Sequence, residues 1–294
     1  MLGIIGGSGI YDLEGLRNTQ WQRVRSAFGR PSDEILFGEL DGQPLCFLPR
    51  HGRGHRIPPS RINFRANIDA LKRVGVTDLL SLSAVGSLRD DLSPGTLVIV
   101  DQFIDQTRSR KRSFFGRGFV AHVSLAEPVC SRLGEALVAA AAGLELGLHR
   151  GGTYLVIEGP QFSTRAESHL FRDWKCDVIG MTNLPEARLA REAEICYATV
   201  AMVTDYDCWH DTHADVVATD VVAVLRANAD RASALLRAVA PHLREHPDRC
   251  AAGCDHALDS AVLTPLEARD AKVVARLDAV ARRILPAVAP EDQE

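Results

Sequence analysis

Six short apolar runs, rich in β-branched residues, constrain the fold of this chain most strongly. They lie at residues 2–5, 45–48, 79–82, 97–100, 154–157 and 199–203. Runs of this kind are typical of strands buried on both faces. Helical patterns at 61–74 and 126–146 lie between some of them. The alternation predicts an α/β fold, namely a single three-layer domain with a mixed, largely buried central sheet.

The last third of the chain changes to helical spacing. Ala, Leu, Val and Arg recur at helical intervals over 215–243 and 265–288, with a linker around 246–259. Because no change of composition marks a boundary, we expect one domain over residues 1–245. The remainder, 246–294, is predicted to be a C-terminal extension with a helix that packs on the same domain.

Charge and hydropathy exclude several classes of partner. With 38 acidic and 34 basic residues, the net charge is −4, so the chain lacks the overall positive charge of a non-specific nucleic-acid binder. No apolar run is long enough to span a membrane, and the N-terminus lacks a secretion signal. We therefore expect a soluble, cytoplasmic protein that binds a small molecule, not nucleic acid or membrane.

A local basic run departs from this balance. Its members, interleaved with Phe114 and Phe115, are Arg108, Arg110, Lys111, Arg112 and Arg117. In isolation the run could indicate a nucleic-acid patch. On a net negative chain, a solvated loop or a subunit contact is the favoured interpretation.

The seven cysteines are scattered along the chain, which predicts reduced thiols rather than a disulfide framework. Near the end of the chain, His246, Cys250, Cys254 and His256 lie close together. Their spacing matches neither of the usual zinc patterns, so we predict no metal. A metal and a local disulfide remain minor alternatives there.

Three predicted strand ends carry groups suited to binding an oxyanion. A glycine turn at 6–9 follows the first strand, Arg50 and His51 follow the second, and a small-residue turn at 83–87 follows the third. Backbone amides and guanidinium groups are good anion donors. A dinucleotide fingerprint would need glycine where Asp12 stands, and no Gly-Lys-Ser/Thr is present. Such strand ends converge on the ligand crevice of an α/β sheet.

Two further segments offer apolar surface and carboxylates. Phe162 and Met181 stand beside hydroxyl residues, and either could equally belong to the core. Asp205 and Asp207 follow the strand at 199–203. They could bind a metal, although no third ligand has a recognisable spacing. Alternatively, one partly desolvated carboxyl is protonated and donates to a heterocycle while the other accepts from an amino group. The sequence leaves both possibilities open.

Five motifs, in the same order and with similar spacing, resemble the purine nucleoside phosphorylase family and, within it, the methylthioadenosine phosphorylase branch. They are I-I-G-G-S-G-I at 4–10, P-R-H-G at 49–52, E-G-P-Q-F-S-T-R-A-E-S at 158–168, M-T-N-L-P-E-A at 181–187 and T-D-Y-D-C-W at 204–209. The resemblance covers about residues 2–245. It implies a nucleoside phosphorylase-like fold and phosphorolysis of 5′-methylthioadenosine to adenine and 5-methylthioribose 1-phosphate. Inorganic phosphate is then a co-substrate, with no metal or organic cofactor.

The resemblance also implies residue roles. The phosphate would be held by Ser8, Arg50, His51, Ser83, Ala84 and Thr182. The purine would lie against Phe162 and Ile179, with Met181 under the ribose. Asp205 would serve N7 as the catalytic acid, since the leaving purine gains negative charge as the glycosidic bond stretches. Asp207 would face the 6-amino group, and two carboxyls favour a 6-aminopurine over a 6-oxopurine, for which related phosphorylases carry Asn.

Specificity and assembly rest on further implied positions. The 5′-methylthio pocket falls on Val216, Ala218, Val221 and Val222, with Ser163 beside the base. Ala218 departs from the usual Val, and the loss of two methyl groups enlarges the pocket and weakens discrimination against adenosine. His122 matches a residue lent by a neighbouring subunit, which implies a homotrimer or a hexamer made of two trimers. The alternatives are a family member that prefers adenosine, inosine or methylthioinosine, and a nucleotide-binding regulatory protein without catalysis.

Overall fold

The computed structural model describes residues 1–7, 15–210, 218–243 and 249–285, with only the backbone for 218–223, 225 and 226. In this part of the chain, eleven strands form one mixed sheet. The strands are β1 (Leu2–Gly6), β2 (Leu16–Gln22), β3 (Ile35–Leu40), β4 (Gln43–Pro49), β5 (Asp78–Ser87), β6 (Leu97–Val100), β7 (Gln102–Gln106), β8 (Leu148–Arg150), β9 (Thr153–Ile157), β10 (Val178–Gly180) and β11 (Cys196–Asp205). The helices are α1 (Phe64–Arg73), α2 (Ser131–Ala141), α3 (Arg165–Asp173), α4 (Asn183–Glu192), α5 (Ala218–Val239) and α6 (Ala271–Arg276).

The centre of the sheet is parallel, in the order β4, β1, β5 and β11. Antiparallel β3 and β2 extend it beyond β4, and β10, β9 and β7 continue it from β5. All six apolar runs form the predicted strands. The polar strand β2 was not predicted, because most of its side chains are exposed and its pairing with β3 holds it in place.

Helices cover both faces of the sheet, which confirms the predicted three-layer α/β class. Buried residues of α1 and α4 pack in one apolar cluster, and those of α2 and α5 pack in another. The side chain of Asn63 caps α1 by accepting from the amide of Ala66. None of the helices in the described part of the chain has the length and apolar character needed to cross a bilayer.

The helical prediction for 265–288 was wrong in extent. Among the described residues of this region, the α-helix is only α6, which Asp270 caps by accepting from two backbone amides. The next residues are fixed by tertiary contacts instead: Leu277 and Val280 are buried in the core, and Asp278 pairs with Arg73. These contacts override the helical spacing. Helix α2 is likewise shorter than the predicted 126–146.

Candidate active site

A division of the sheet at β5 opens a cleft. On one side of β5, β1 pairs as far as Leu82, and β10 pairs only from Gly86 onward. Residues 83–85 lie between these two ladders while β11 pairs with their other edge. The predicted turn at 83–87 is therefore wrong, since all five residues belong to β5. Their position at a sheet division is nevertheless typical of ligand sites in α/β proteins.

The cleft has a volume of about 390 Å³ and brings together eleven of the predicted site residues. They are Arg50, His51, Ser83, Ala84, Phe162, Ser163, Ile179, Met181, Thr182, Asp205 and Asp207. Ser8 and Val216 lie outside the described residues, as do the side chains of Ala218, Val221 and Val222. His122 is exposed and is not among the described residues that line this cleft.

Arg50, directly after β4, is held from below. Its Nε and Nη2 donate to the two carboxylate oxygens of Glu186, at 2.8 and 3.0 Å. Nη2 also donates to Ser81 Oγ, and Nη1 donates to the carbonyl of Leu82. Within the described residues Nη1 makes only this one bond, so its second N–H remains for a ligand on the side of Gly7. Arg50 is thus a fixed donor, with its charge compensated from beneath.

His51 is neutral in this environment. Burial, with the nearby charge of Arg50, lowers the pKa of His51 to about 4. Its Nδ1 donates to the carbonyl of Ile57 at 2.8 Å, because a carbonyl can only accept. The other ring nitrogen, Nε2, is therefore an acceptor and lies on the side of Gly7. His55 stacks on the ring at a centroid distance of 4.2 Å.

Two hydroxyls complete the polar end of the cleft. Ser83 Oγ lies 3.1 Å from Thr182 Oγ1 and 3.1 Å from the Tyr154 hydroxyl. Ser83 and Thr182 are largely buried, so their rotamers are fixed by these contacts. Together with Arg50 they offer N–H and O–H donors within one polar region. Such a set suits an oxyanion.

Asp205 and Asp207 form the acidic part of the cleft. A β-bulge before Asp205 turns its side chain out of the regular ladder opposite Gly86, where any Cβ would lie 2.9 Å from Asp205 Oδ1. Thr204 Oγ1 donates to Asp205 Oδ2, and the Asp207 amide donates to Asp205 Oδ1. Ser168 Oγ donates to Asp207 Oδ2 at 2.5 Å.

Burial raises the pKa of both carboxyls. For Asp205 desolvation outweighs the hydrogen bonds from Thr204 and Asp207. For Asp207 desolvation, with the nearby charge of Asp205, raises the pKa to about 6. A raised pKa allows a carboxyl to donate a proton near neutral pH, so the geometry favours the acid–acceptor interpretation of this pair. Neither aspartate belongs to a group of three or more metal-ligating side chains among the described residues.

The apolar wall of the cleft is partly open. Phe162 is 50% exposed, which distinguishes it from a core residue, whereas Ile179 on β10 is buried. Met181 lies over Gly159, where a Cβ would approach its sulfur to 2.5 Å. The Ser163 hydroxyl is buried and has no hydrogen-bond partner among the described residues. Flat and soft apolar groups beside polar ones suit a heterocycle.

One member of the basic run, Arg110, supports this wall from behind. Its guanidinium is buried and donates to four carbonyls, of Ile157, Glu158, Met181 and Leu184. Its Nε also reaches the Glu158 carboxylate at 3.3 Å. The solvated-loop interpretation is therefore wrong for this residue, because five acceptors converge on it. Its exposed neighbours Arg108 and Lys111 fit that interpretation.

Sequence reasoning gave no role to three residues that hold the site. Glu186 fixes Arg50, Arg110 fixes two lining segments, and Ser168 orients Asp207. Glu186 and Ser168 both lie inside motifs quoted for the resemblance. Because α4 also carries Arg188, Arg191 and Glu192, its sequence pattern did not distinguish Glu186 as the carboxylate that needs a buried cation.

The cleft lies at a division of the sheet and joins an oxyanion-binding region to a pair of acidic side chains. This arrangement indicates the class of enzymes that have the nucleoside phosphorylase fold and small-molecule substrates. The family comparison agrees with this class. The model of the phosphorylase superfamily matches residues 1–241, and the chain belongs to that family.

Individual relatives are similar over nearly the whole chain. An S-methyl-5′-thioadenosine phosphorylase of Cereibacter sphaeroides is 57% identical, over 97% of this chain and 98% of that protein. One of Rhodospirillum rubrum is also 57% identical, over 97% of each. A crystal structure of a methylthioadenosine phosphorylase from an Antarctic soil metagenomic library is 46% identical, with a TM-score of 0.89 over 97% of this chain and 98% of that chain. One from Schistosoma mansoni in complex with adenine is 37% identical, with a TM-score of 0.77 over 82% and 91%.

Proposed function

We propose that this chain catalyses phosphorolysis of 5′-methylthioadenosine, which yields adenine and 5-methylthioribose 1-phosphate. The observation that supports it most is the separation of donors and carboxyls within one cleft. Arg50 follows β4 and Asp205 ends β11, with β1 and β5 between them. The strand axes of β4 and β11 are then about 14 Å apart, which leaves room for phosphate and a nucleoside side by side.

Phosphate would bind at the polar end, with donors from Arg50, Ser83 and Thr182 and from the chain around Ser8. There it is held for attack on C1′ of the sugar, which replaces a bimolecular encounter with a positioned nucleophile. A phosphate oxygen forms the new bond to C1′ while the C1′–N9 bond breaks. The electron pair of that bond passes to the purine.

His51 would accept a hydrogen bond from the phosphate. Hydrogen phosphate carries one O–H, and the unprotonated Nε2 of His51 is an acceptor for it. The sugar phosphate product has lost that proton and adenine has gained one, so the atoms balance. Binding of an anion favours the protonated form of His51, so its pKa rises towards the ordinary value as phosphate binds.

At the acidic end, Asp205 in its protonated form would donate to N7 as negative charge develops on the leaving purine. Asp207, oriented by Ser168, would accept from the 6-amino group. Phe162 and Ile179 would contact the faces of the base, and Met181 the ribose. The free hydroxyl of Ser163 would gain its partner from the base.

The 5′ substituent and the assembly belong to the same proposal. Small apolar residues at Val216, Ala218, Val221 and Val222, at and just before the start of α5, would contact the methylthio group. His122, exposed on its own chain, would complete the site of a neighbour in a homotrimer or a dimer of trimers. His122→Ala should then raise KM for the nucleoside, and the mass of the particle in solution should equal three or six chains.

The direct test is adenine release followed by absorbance, with and without inorganic phosphate. We expect release only with phosphate, and phosphate-independent release would contradict phosphorolysis. Asp205→Ala should lower turnover by about 10²–10⁴-fold. Asp90→Ala, at an exposed carboxylate paired with Arg172, is the matched control and should leave turnover unchanged.

Substrate choice within the family is tested by specificity constants. We expect kcat/KM to be highest for methylthioadenosine, followed by adenosine and then methylthioinosine. A higher constant for adenosine would favour the alternative that the Ala218 departure raises. Absence of turnover on every nucleoside, with retained binding of adenine, would favour a non-catalytic nucleotide-binding protein.

A further inference from the structure

Four buried cysteines meet far from the cleft. They are Cys130, Cys196, Cys250 and Cys254, whose sulfur atoms all lie within 4.8 Å of one another. Each is at most 1% exposed, and none of the four forms a disulfide in the described part of the chain. Cys130 and Cys250 are 120 residues apart in sequence, yet their sulfurs are 3.7 Å apart.

The distances suit one metal ion at the centre of the group. In a tetrahedral zinc site with Zn–S bonds of about 2.3 Å, the edge between two sulfurs is about 3.8 Å. The 3.7 Å between the sulfurs of Cys130 and Cys250 agrees with this edge, and no two sulfurs of the group are more than 4.8 Å apart. Four thiolates would leave no open position for water or substrate, which is the arrangement of a structural rather than a catalytic site.

The backbone holds the four sulfurs from three separate directions. Cys130 precedes α2, and its amide donates to the carbonyl of Tyr197. Cys196 begins β11, and its amide donates to the carbonyl of Thr77. Cys250 donates from its amide to Asp255, and left-handed Gly253 turns the chain so that Cys254 also faces the group. The geometry is therefore fixed before any ion binds.

The surrounding charges suit thiolates. The guanidinium of Arg132 interacts with Cys196 and Cys130, and Arg191 acts on Cys254. Cys130 also stands at the N-terminus of an eleven-residue helix, which favours a negative sulfur. Arg132 also pairs with the buried Asp78, so its charge is shared with that carboxylate. Together with Arg191 it partly offsets the net charge of −2 that zinc with four thiolates would carry.

We propose that these four cysteines form a structural tetrathiolate site for a thiophilic divalent cation, Zn²⁺. On binding, the sulfurs become ligands and the thiol protons pass to water. The ion would tie the segment of Cys250 and Cys254 to α2 and β11, and so fix the chain that follows α5. Sequence spacing alone predicts no metal, because the two other ligands are distant in sequence and only the fold brings them together.

The test begins with metal analysis of the full-length protein, purified without chelator. We expect close to one zinc per chain by mass spectrometry, and Co²⁺ substitution should give the visible absorption of a tetrahedral thiolate complex. When the protein is denatured with chelator and without reductant, all seven cysteines should react with an alkylating agent. These readouts do not depend on enzyme activity, so failure of the metal site can be distinguished from failure of the proposed phosphorolysis.

Variants separate the group from other thiols. Cys254→Ser should lose the metal and unfold at a lower temperature, whereas Cys46→Ser, at a buried thiol outside the group, should keep it. If Cys254→Ser does not fold, the wild-type metal content and cobalt spectrum still decide. An intact mass that is lower by the hydrogens lost in disulfide formation would overturn the proposal, because it would show that the cysteines are oxidised. So would reduced thiols that bind neither zinc nor cobalt when either ion is supplied without oxygen.

Discussion

Arg50 and Glu186 form a two-point ion pair beneath the cleft, with side chains only 1% and 0% exposed. Ser81 and the Tyr197 hydroxyl also donate to Glu186, so the carboxylate is fully engaged. The guanidinium proposed to meet phosphate is therefore positioned by a residue that lies below it. Removing one partner of such a buried pair is strongly unfavourable, because the other charge is left uncompensated.

Glu186→Gln should weaken both the fold and phosphate binding. Glutamine presents one oxygen and one N–H₂ group to Arg50, so one of the two contacts becomes repulsive. We expect a loss of about 3–5 kcal/mol in unfolding free energy and a rise of about tenfold in KM for phosphate, which corresponds to 1.4 kcal/mol. Urea denaturation and steady-state kinetics measure the two effects.

The matched control is Glu34→Gln. Glu34 also pairs with an arginine, Arg53, but their side chains are 41% and 44% exposed. Exposed pairs contribute about 0–1 kcal/mol, so neither stability nor KM should change much. An unchanged KM for phosphate in Glu186→Gln would refute the positioning role.

Arg110→Lys should impair nucleoside binding although the charge is kept. A lysine ammonium cannot reach four carbonyls and a carboxylate at once, so buried acceptors on the segments of Glu158 and Met181 lose their donors. Each such group costs about 1–3 kcal/mol. We expect lower stability and a higher KM for the nucleoside, with KM for phosphate less affected. Arg117→Ala, at an exposed position of the same basic run, should change none of these quantities.

Asp207→Asn should stabilise the free protein at neutral pH. The pKa of Asp207 is raised from 3.8 to about 6 by burial, so between these values the folded state binds more protons than the unfolded state. Its contribution to stability is therefore lost as pH rises through this window, and above about pH 6 the charge carries a constant penalty. Two pKa units correspond to at most about 3 kcal/mol. We expect the variant to gain about 1–3 kcal/mol at pH 7–8.

Urea denaturation across pH 4 to 8 measures this effect. The gain should fall to zero near pH 4, where Asp207 is protonated in both states. Asp90→Asn, at an exposed carboxylate, is the control and should differ from wild type by less than about 0.5 kcal/mol at every pH. A gain of equal size at pH 4 and pH 8 would show that Asp207 carries no buried charge.

Much of the fold could be predicted because its strands are buried on both faces. β1 and β11 are apolar along nearly their whole length, so pattern alone identifies them. β2 could not be predicted, since it carries polar, exposed side chains and depends on β3. The end of the chain could not either, because Leu277 and Val280 are placed by the core they pack into.

The site was predictable where side chains face the ligand and unpredictable where they support one another. Arg50 follows β4 and Asp205 ends β11, both buried strands, so their position at the edge of the sheet follows from the pattern. Glu186 and Arg110 form hydrogen bonds with residues distant in sequence, and local sequence patterns do not reveal such contacts. The cysteine group is the extreme case, with Cys130 and Cys250 brought together only by the packed fold.

Asp205→Asn should change which base is preferred. Asp205 Oδ2 accepts from Thr204 and Oδ1 from the Asp207 amide, so an asparagine can keep its carbonyl on one of these donors. Its N–H₂ group then offers a permanent donor at the position where related phosphorylases of 6-oxopurines carry Asn. It cannot supply the proton that N7 of adenine needs. We expect kcat/KM for methylthioadenosine to fall by about 10²–10⁴-fold, and that for methylthioinosine to fall far less or to rise.

Thr204→Val is the matched control, since it removes the hydrogen bond to Oδ2 and keeps the carboxyl. It should lower both specificity constants by a similar factor and so leave their ratio near that of the wild type. Adenine and hypoxanthine release from the two nucleosides, followed by absorbance, gives the ratio directly. If Asp205→Asn also leaves the ratio unchanged, the carboxyl only supports the backbone around Asp207, and the proton for the leaving base must come from another group.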